Sequence, residues 1–136
     1  MRPDRDLTEE APPTTDTAAV VTGMLAAYND RDFDEFGAKY SADAVISYPQ
    51  SGERITGRDN ILAMVRAFPS APTFAVTTTR AADNWVLVEA DADYGGGTVW
   101  KAVIVYTVEG GSVVAETAYF AAPFEPATWR APFVNQ

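Results

Sequence analysis

The stretch WVLVEADADYGGGTVWKAVIVYTVEGGSVVAETAYF, residues 85–120, decides the fold of this chain. It contains three long runs, Trp85–Tyr94, Val99–Val108 and Val113–Phe120, rich in β-branched and aromatic residues and divided by glycine-rich turns. Such runs read as the strands of a meander. If Gly95–Gly97 form the first loop, Tyr94 lies opposite Thr98, Ala92 opposite Trp100 and Ala90 opposite Ala102. Val88 then faces Ile104, and Val86 faces Tyr106. That whole face is apolar or aromatic, which makes it the concave one. The opposite face sets Asp91 across from Lys101, a favourable cross-strand pair.

The second hairpin admits two registers. A three-residue loop, Glu109–Gly111, turns Val114, Glu116, Ala118 and Phe120 inward and sets Glu116 opposite Ile104. A two-residue Gly110–Gly111 turn, which hairpin geometry favours for a glycine pair, instead turns Ala115, Thr117 and Tyr119 inward. The choice decides whether a carboxyl group enters the concave side.

Before this meander the pattern is helical. Val20, Val21, Met24, Leu25 and Tyr28 recur at helical spacing after possible caps at Thr14–Thr17, and Asn29–Asp32 end that helix. Asp32 followed by Glu35 is a capping-box pattern, opening a short helix whose buried side is Phe33, Phe36 and Tyr40. Ala44–Tyr48 reads as a strand stopped by Pro49. Thr56–Asp59 offers another capping box, with Ile61, Leu62, Val65 and Phe68 on one helix face before Pro69 and Pro72. Phe74–Thr79 is a further strand. The order predicts an α+β domain over residues 14–136: three helices packed on a strongly curved antiparallel sheet around a pocket. Residues 1–13 read as a flexible tail.

Composition narrows the chemistry. The 136 residues are 47% hydrophobic, enough for one real core. The chain has no cysteine and no histidine, which removes disulfides, thiolate metal sites, a cysteine nucleophile and the usual base near neutral pH. Any proton transfer falls to Asp, Glu, Tyr, Lys, Arg or water. A net charge of −9 argues against nucleic-acid and anionic-membrane partners. With no signal-peptide pattern and no spanning run, the chain reads as cytoplasmic. It shows no credible metal site.

Four stretches resemble the nuclear-transport-factor-2-like superfamily, and within it the SnoaL-like proteins. They are AAYNDRDFDEF at 26–36, ADAVISYPQSGERITGRDNI at 42–61, GGSVVAETAYFAAPF at 110–124 and WRAPFV at 129–134. The resemblance implies a cone-shaped fold with a pocket between sheet and helices, and a homodimer formed through the sheet face. This scaffold hosts isomerases, cyclases, dehydratases, epoxide hydrolases and non-catalytic binders. The ketosteroid isomerase constellation falls here on Met24, Tyr48 and Ile104, which lack its carboxylates. The acid used by the family's cyclases and epoxide hydrolases lies near the YF pair of the last strand, where Glu116 is the nearest acid. The resemblance also places Phe120 in the cavity, and so favours the register with Glu116 inward.

The expectation is a cofactor-independent acid–base enzyme acting on a hydrophobic small molecule by isomerisation, cyclisation or hydration. Glu116 would transfer the proton, its pKa raised by apolar surroundings, and Tyr48 would donate a hydrogen bond. Tyr28, Met24, Trp100, Ile104, Tyr106 and Phe120 would contact the ligand. The rival expectations are a non-catalytic carrier of an apolar ligand and an interaction module working through the sheet face or Pro123–Val134.

Overall fold

The computed structural model describes residues 12–135. Helix α1 (Pro12–Asn29) and the short α2 (Phe33–Ala38) lead into β1 (Tyr40–Tyr48) and β2 (Glu53–Thr56). Helix α3 (Arg58–Ala67) precedes β3 (Thr73–Ala82), β4 (Trp85–Gly95), β5 (Thr98–Glu109) and β6 (Ser112–Ala121). A 3-10 helix, Thr128–Phe133, follows the sheet. The fold is α+β, as the order of patterns predicts.

The helical spacing in α1 buries Val21, Met24, Leu25 and Tyr28 against the sheet. The helix starts at Pro12, two residues inside the expected tail, because proline suits a first helical turn, where no amide partner is needed. The remainder of that expected tail, residues 1–11, lies outside the described residues. Asp32 caps α2 through its carboxylate to the amide of Glu35, at 3.2 Å. At α3 the expected capping box is absent. Gly57, at φ +96°, takes the cap position without any side-chain bond.

All six strands form one sheet in the order β2-β1-β6-β5-β4-β3. Neighbours are antiparallel except β1 and β6, which run parallel because the chain returns to β1 only after the whole meander. Tyr40 opens β1 rather than closing α2, and the short edge strand β2, which the sequence pattern did not signal, pairs with β1. In the β4–β5 hairpin, Val86 faces Tyr106, Val88 faces Ile104, Ala90 faces Ala102 and Asp91 faces Lys101, all as expected. Near the turn, Gly95 rather than Tyr94 pairs with Thr98, because the ladder shifts after Asp93. Tyr94 is thereby released from the ladder.

The β5–β6 hairpin combines features of both registers. Glu109 pairs with Ser112, so the turn is the two-residue Gly110–Gly111 form. The register then shifts between Val108–Val113 and Thr107–Ala115, leaving Val114 as the extra residue of a β-bulge. Val113, not Val114, is the fully buried valine. Past the bulge Glu116, Ala118 and Phe120 face Tyr106, Ile104 and Ala102. Glu116 is therefore inward but opposite Tyr106, one pair from its expected partner.

Two side chains fasten the helices over the concave face. Asn29, the last residue of α1, accepts from the Phe74 amide and donates to the Phe74 carbonyl, both at 2.8 Å. It thus completes the edge of β3 as a strand would. The Arg31 guanidinium donates to the carbonyls of Pro72 at 2.9 Å and Ala71 at 3.1 Å, tying the end of α1 to the segment entering β3.

Candidate functional site: a carboxyl in an aromatic cavity

The sheet and helices enclose a cavity of about 670 Å³. Aromatic rings form much of its wall. Tyr28 meets Phe36 at 5.2 Å and Phe74 at 5.3 Å, and Phe36 meets Tyr40 at 5.3 Å, centroid to centroid. A second group joins Tyr94 to Trp100 at 6.0 Å and to Phe68 at 6.2 Å.

Glu116 lines the cavity and is only 8% exposed. Tyr40 Oη donates to its Oε1 at 2.5 Å, the short distance expected of a hydroxyl on a carboxylate. Burial raises the Glu116 pKa from 4.5 to about 7, against the lowering effect of the Tyr40 hydrogen bond. The carboxyl group is therefore divided between its acid and base forms near neutrality, the condition for either direction of proton transfer. Burial, then the nearby Glu116 charge, push the phenols of Tyr48 and Tyr106 up, so both stay protonated donors. Burial also pushes Tyr28 up to about 12.

Of the residues singled out from the sequence, Tyr28, Tyr48, Trp100, Ile104, Tyr106, Phe120 and Glu116 all line this cavity. Met24 does not. It has no exposure and packs in the hydrophobic core. Sequence reading missed Tyr40, assigning it to the buried side of α2, since helical spacing from Phe36 continued through it. It also missed Gln50, whose amide group donates to the Phe120 carbonyl at 2.8 Å and accepts from the Phe120 amide at 2.7 Å. This clasp holds the β1–β2 turn against the end of β6. Among the described residues, no group of three or more acidic residues is placed to hold a metal ion.

The Tyr40 bond gives a direct test of this electrostatic description. Tyr40→Phe removes a donor that favours the ionised carboxyl, so the Glu116 pKa should rise above about 7. Carboxyl-carbon NMR titration would show the shift, and an activity that depends on the base form would move to higher pH with it. An unmoved titration would mean that the bond does not tune Glu116.

The chain matches the model of the SnoaL-like domain over residues 21–116, well over half its length. It belongs to the SnoaL-like domain family. None of the curated proteins compared with it is significantly similar. Among solved structures, it is similar to an NTF-2-like protein of unknown function from Burkholderia xenovorans LB400, at 33% identity and TM-score 0.82, covering 91% of this chain and 97% of that one. It is also similar to a protein described as a candidate ketosteroid isomerase from Kribbella flavida DSM 17836, at 27% identity and TM-score 0.84, covering 90% of each chain. An epoxide hydrolase of the LEH-like type from M. tuberculosis shares the fold at 22% identity and TM-score 0.65, covering 79% of this chain and 84% of that one. The SnoaL-like match explains the order of helices and strands. It leaves the chemistry to the cavity.

Proposed function

We propose that this SnoaL-like protein is a cofactor-independent acid–base enzyme acting on a largely hydrophobic small molecule. The observation that carries this reading is Glu116, a carboxyl group desolvated in the wall of an aromatic cavity and set near neutrality by burial. Such a group takes a proton from, or gives one to, a bound carbon acid, alkene or epoxide. Tyr48, on the neighbouring strand and held protonated, donates a hydrogen bond to the oxygen on which charge develops. Isomerisation, cyclisation and hydration all fit these roles. The candidate ketosteroid isomerase from Kribbella flavida among the similar structures supports such chemistry on this scaffold. By the sequence resemblance, Met24, Tyr48 and Ile104 stand where the isomerases carry their constellation, so the residues here differ from it.

A thermal-shift screen against enones, lactones, epoxides, aromatic polyketides, fatty acids and hydrophobic amines tests the reading. A ligand bound only by the folded state raises the melting temperature in proportion to the logarithm of its concentration over Kd, once in excess. We expect stabilisation by at least one class, followed by turnover of a member of that class. A flat response across the panel would overturn the small-molecule reading.

We also propose that the protein forms a homodimer through the convex face of the sheet. Leu87, Val103 and Val105 are only half-buried there, and Tyr119 is 43% exposed, opposite Val103. An apolar patch of this kind on a sheet is costly to leave in water. Sedimentation equilibrium should give twice the chain mass, and Val103→Lys should shift it toward the monomer. A monomer at micromolar concentration would rule the dimer out.

A further inference from the structure

The wall of the cavity restricts the charge of what it holds. Glu116 has one carboxyl oxygen bonded to Tyr40, while the other accepts no hydrogen bond among the described residues. A buried carboxylate in that condition must take up a proton or meet a cation. The described lining of the cavity provides no such cation. No Lys or Arg is among the described residues lining the cavity, and the chain has no histidine. The other acid in the lining is Glu53 of β2, solvent-exposed and bonded by Ser51 Oγ at 2.6 Å. Ten of the lining side chains are aromatic, and their ring faces attract cations and repel anions. The net charge of −9 adds a field of the same sign around the molecule.

We infer that the ligand of this site is an organic amine, its ammonium group set against Glu116 and its apolar part against the Tyr28–Phe74 and Tyr94–Trp100 aromatic walls. This rests on the cavity being the ligand site and adds a positive charge to the hydrophobic molecule described above. A neutral ligand leaves Glu116 satisfied only in its protonated form, and an anionic one meets two carboxylates with no counter-charge. Binding an ammonium ion stabilises the ionised carboxyl, so the complex expels the proton that Glu116 holds near neutrality. The other titratable groups sharing the cavity are Tyr28 of α1, Tyr40 and Tyr48 of β1, Glu53 of β2, Tyr94 of β4 and Tyr106 of β5. The linings from α2, α3 and β3 are apolar. Burial, which raises the Glu116 pKa to about 7, lets the charge of Glu116 change near neutrality.

The test compares N,N-dimethylbenzylammonium with isobutylbenzene, its uncharged isostere, and with 3-phenylpropanoate, on the full chain by titration calorimetry and thermal shift. The ammonium ion should bind at least about tenfold more tightly than the hydrocarbon, and the anion should not bind. Its affinity should rise from about pH 6 to about pH 8, with a heat that varies with the ionisation enthalpy of the buffer. Glu116→Gln should cut the preference for the ammonium ion by at least about threefold, leaving the part that the ring faces supply. The buffer dependence is read on the unaltered protein, so it holds even if that variant fails to fold. Equal affinity for cation and hydrocarbon, or a preference unchanged in Glu116→Gln, would overturn the inference and leave the cavity as a site for neutral molecules. Binding of neither isostere would overturn both readings.

Discussion

Glu116→Gln should lower turnover by about 10²–10⁴-fold, the usual contribution of a positioned acid or base, while the protein keeps its fold. The amide is nearly isosteric and can still accept from Tyr40 Oη, but it cannot exchange a proton near neutrality. The same substitution should change how stability varies with pH. In the folded protein burial holds the Glu116 pKa at about 7, against an ordinary value of 4.5. Between these values the folded state binds more protons than the unfolded state. Its stability is therefore full at low pH and falls as pH rises through 7. The loss from pH 5 to pH 8 is on the order of 2–3 kcal/mol. Glu116→Gln should lack this decline, making the variant the more stable protein at pH 8 and the less active one. Urea titrations at the two pH values check it. Parallel curves for both proteins would show that Glu116 is not desolvated, and unchanged turnover would remove it from the chemistry.

Asn29→Ala should destabilise the fold by roughly 2–4 kcal/mol, because it leaves both the amide and the carbonyl of Phe74 without partners at a half-buried edge. Asn29→Asp separates the two bonds. It keeps the acceptor for the Phe74 amide and loses the donor to the carbonyl, so its cost should be intermediate near neutral pH. Since Phe74 is part of the cavity wall, ligand-induced stabilisation should weaken in the alanine variant as well. Denaturant unfolding measures the first effect and thermal shift the second. A cost under about 0.5 kcal/mol, the range of an ordinary surface substitution, would mean that water replaces the Asn29 clasp at no loss.

The sequence alone determined the three helices, the strands of the meander and which face of that meander is buried. The alternation of Val86, Val88, Ala90 and Ala92 against Trp100, Ala102, Ile104 and Tyr106 carries its own register, because a one-residue slip would expose every one of them. Trp100, Ile104 and Tyr106 in the cavity wall follow from that register, and Leu25 and Tyr28 from the helical spacing of α1. Tyr40 was not legible in the same way, since the residue after a short helix can extend it or open a strand. Only its parallel pairing with Val113 of β6 decides in favour of the strand. Glu116 is the sharpest case. Local turn chemistry correctly selects the Gly110–Gly111 hairpin, and taken alone would send Glu116 outward. The bulge at Val114 turns it back in. A bulge has no fixed residue signature here; it forms because the sheet must curve and because Ala118 and Phe120 gain more by facing the core than Ala115, Thr117 and Tyr119 would. That balance involves β1, β5 and the helices together, so only the tertiary structure decides that the cavity contains a carboxyl group and that Tyr40 holds it.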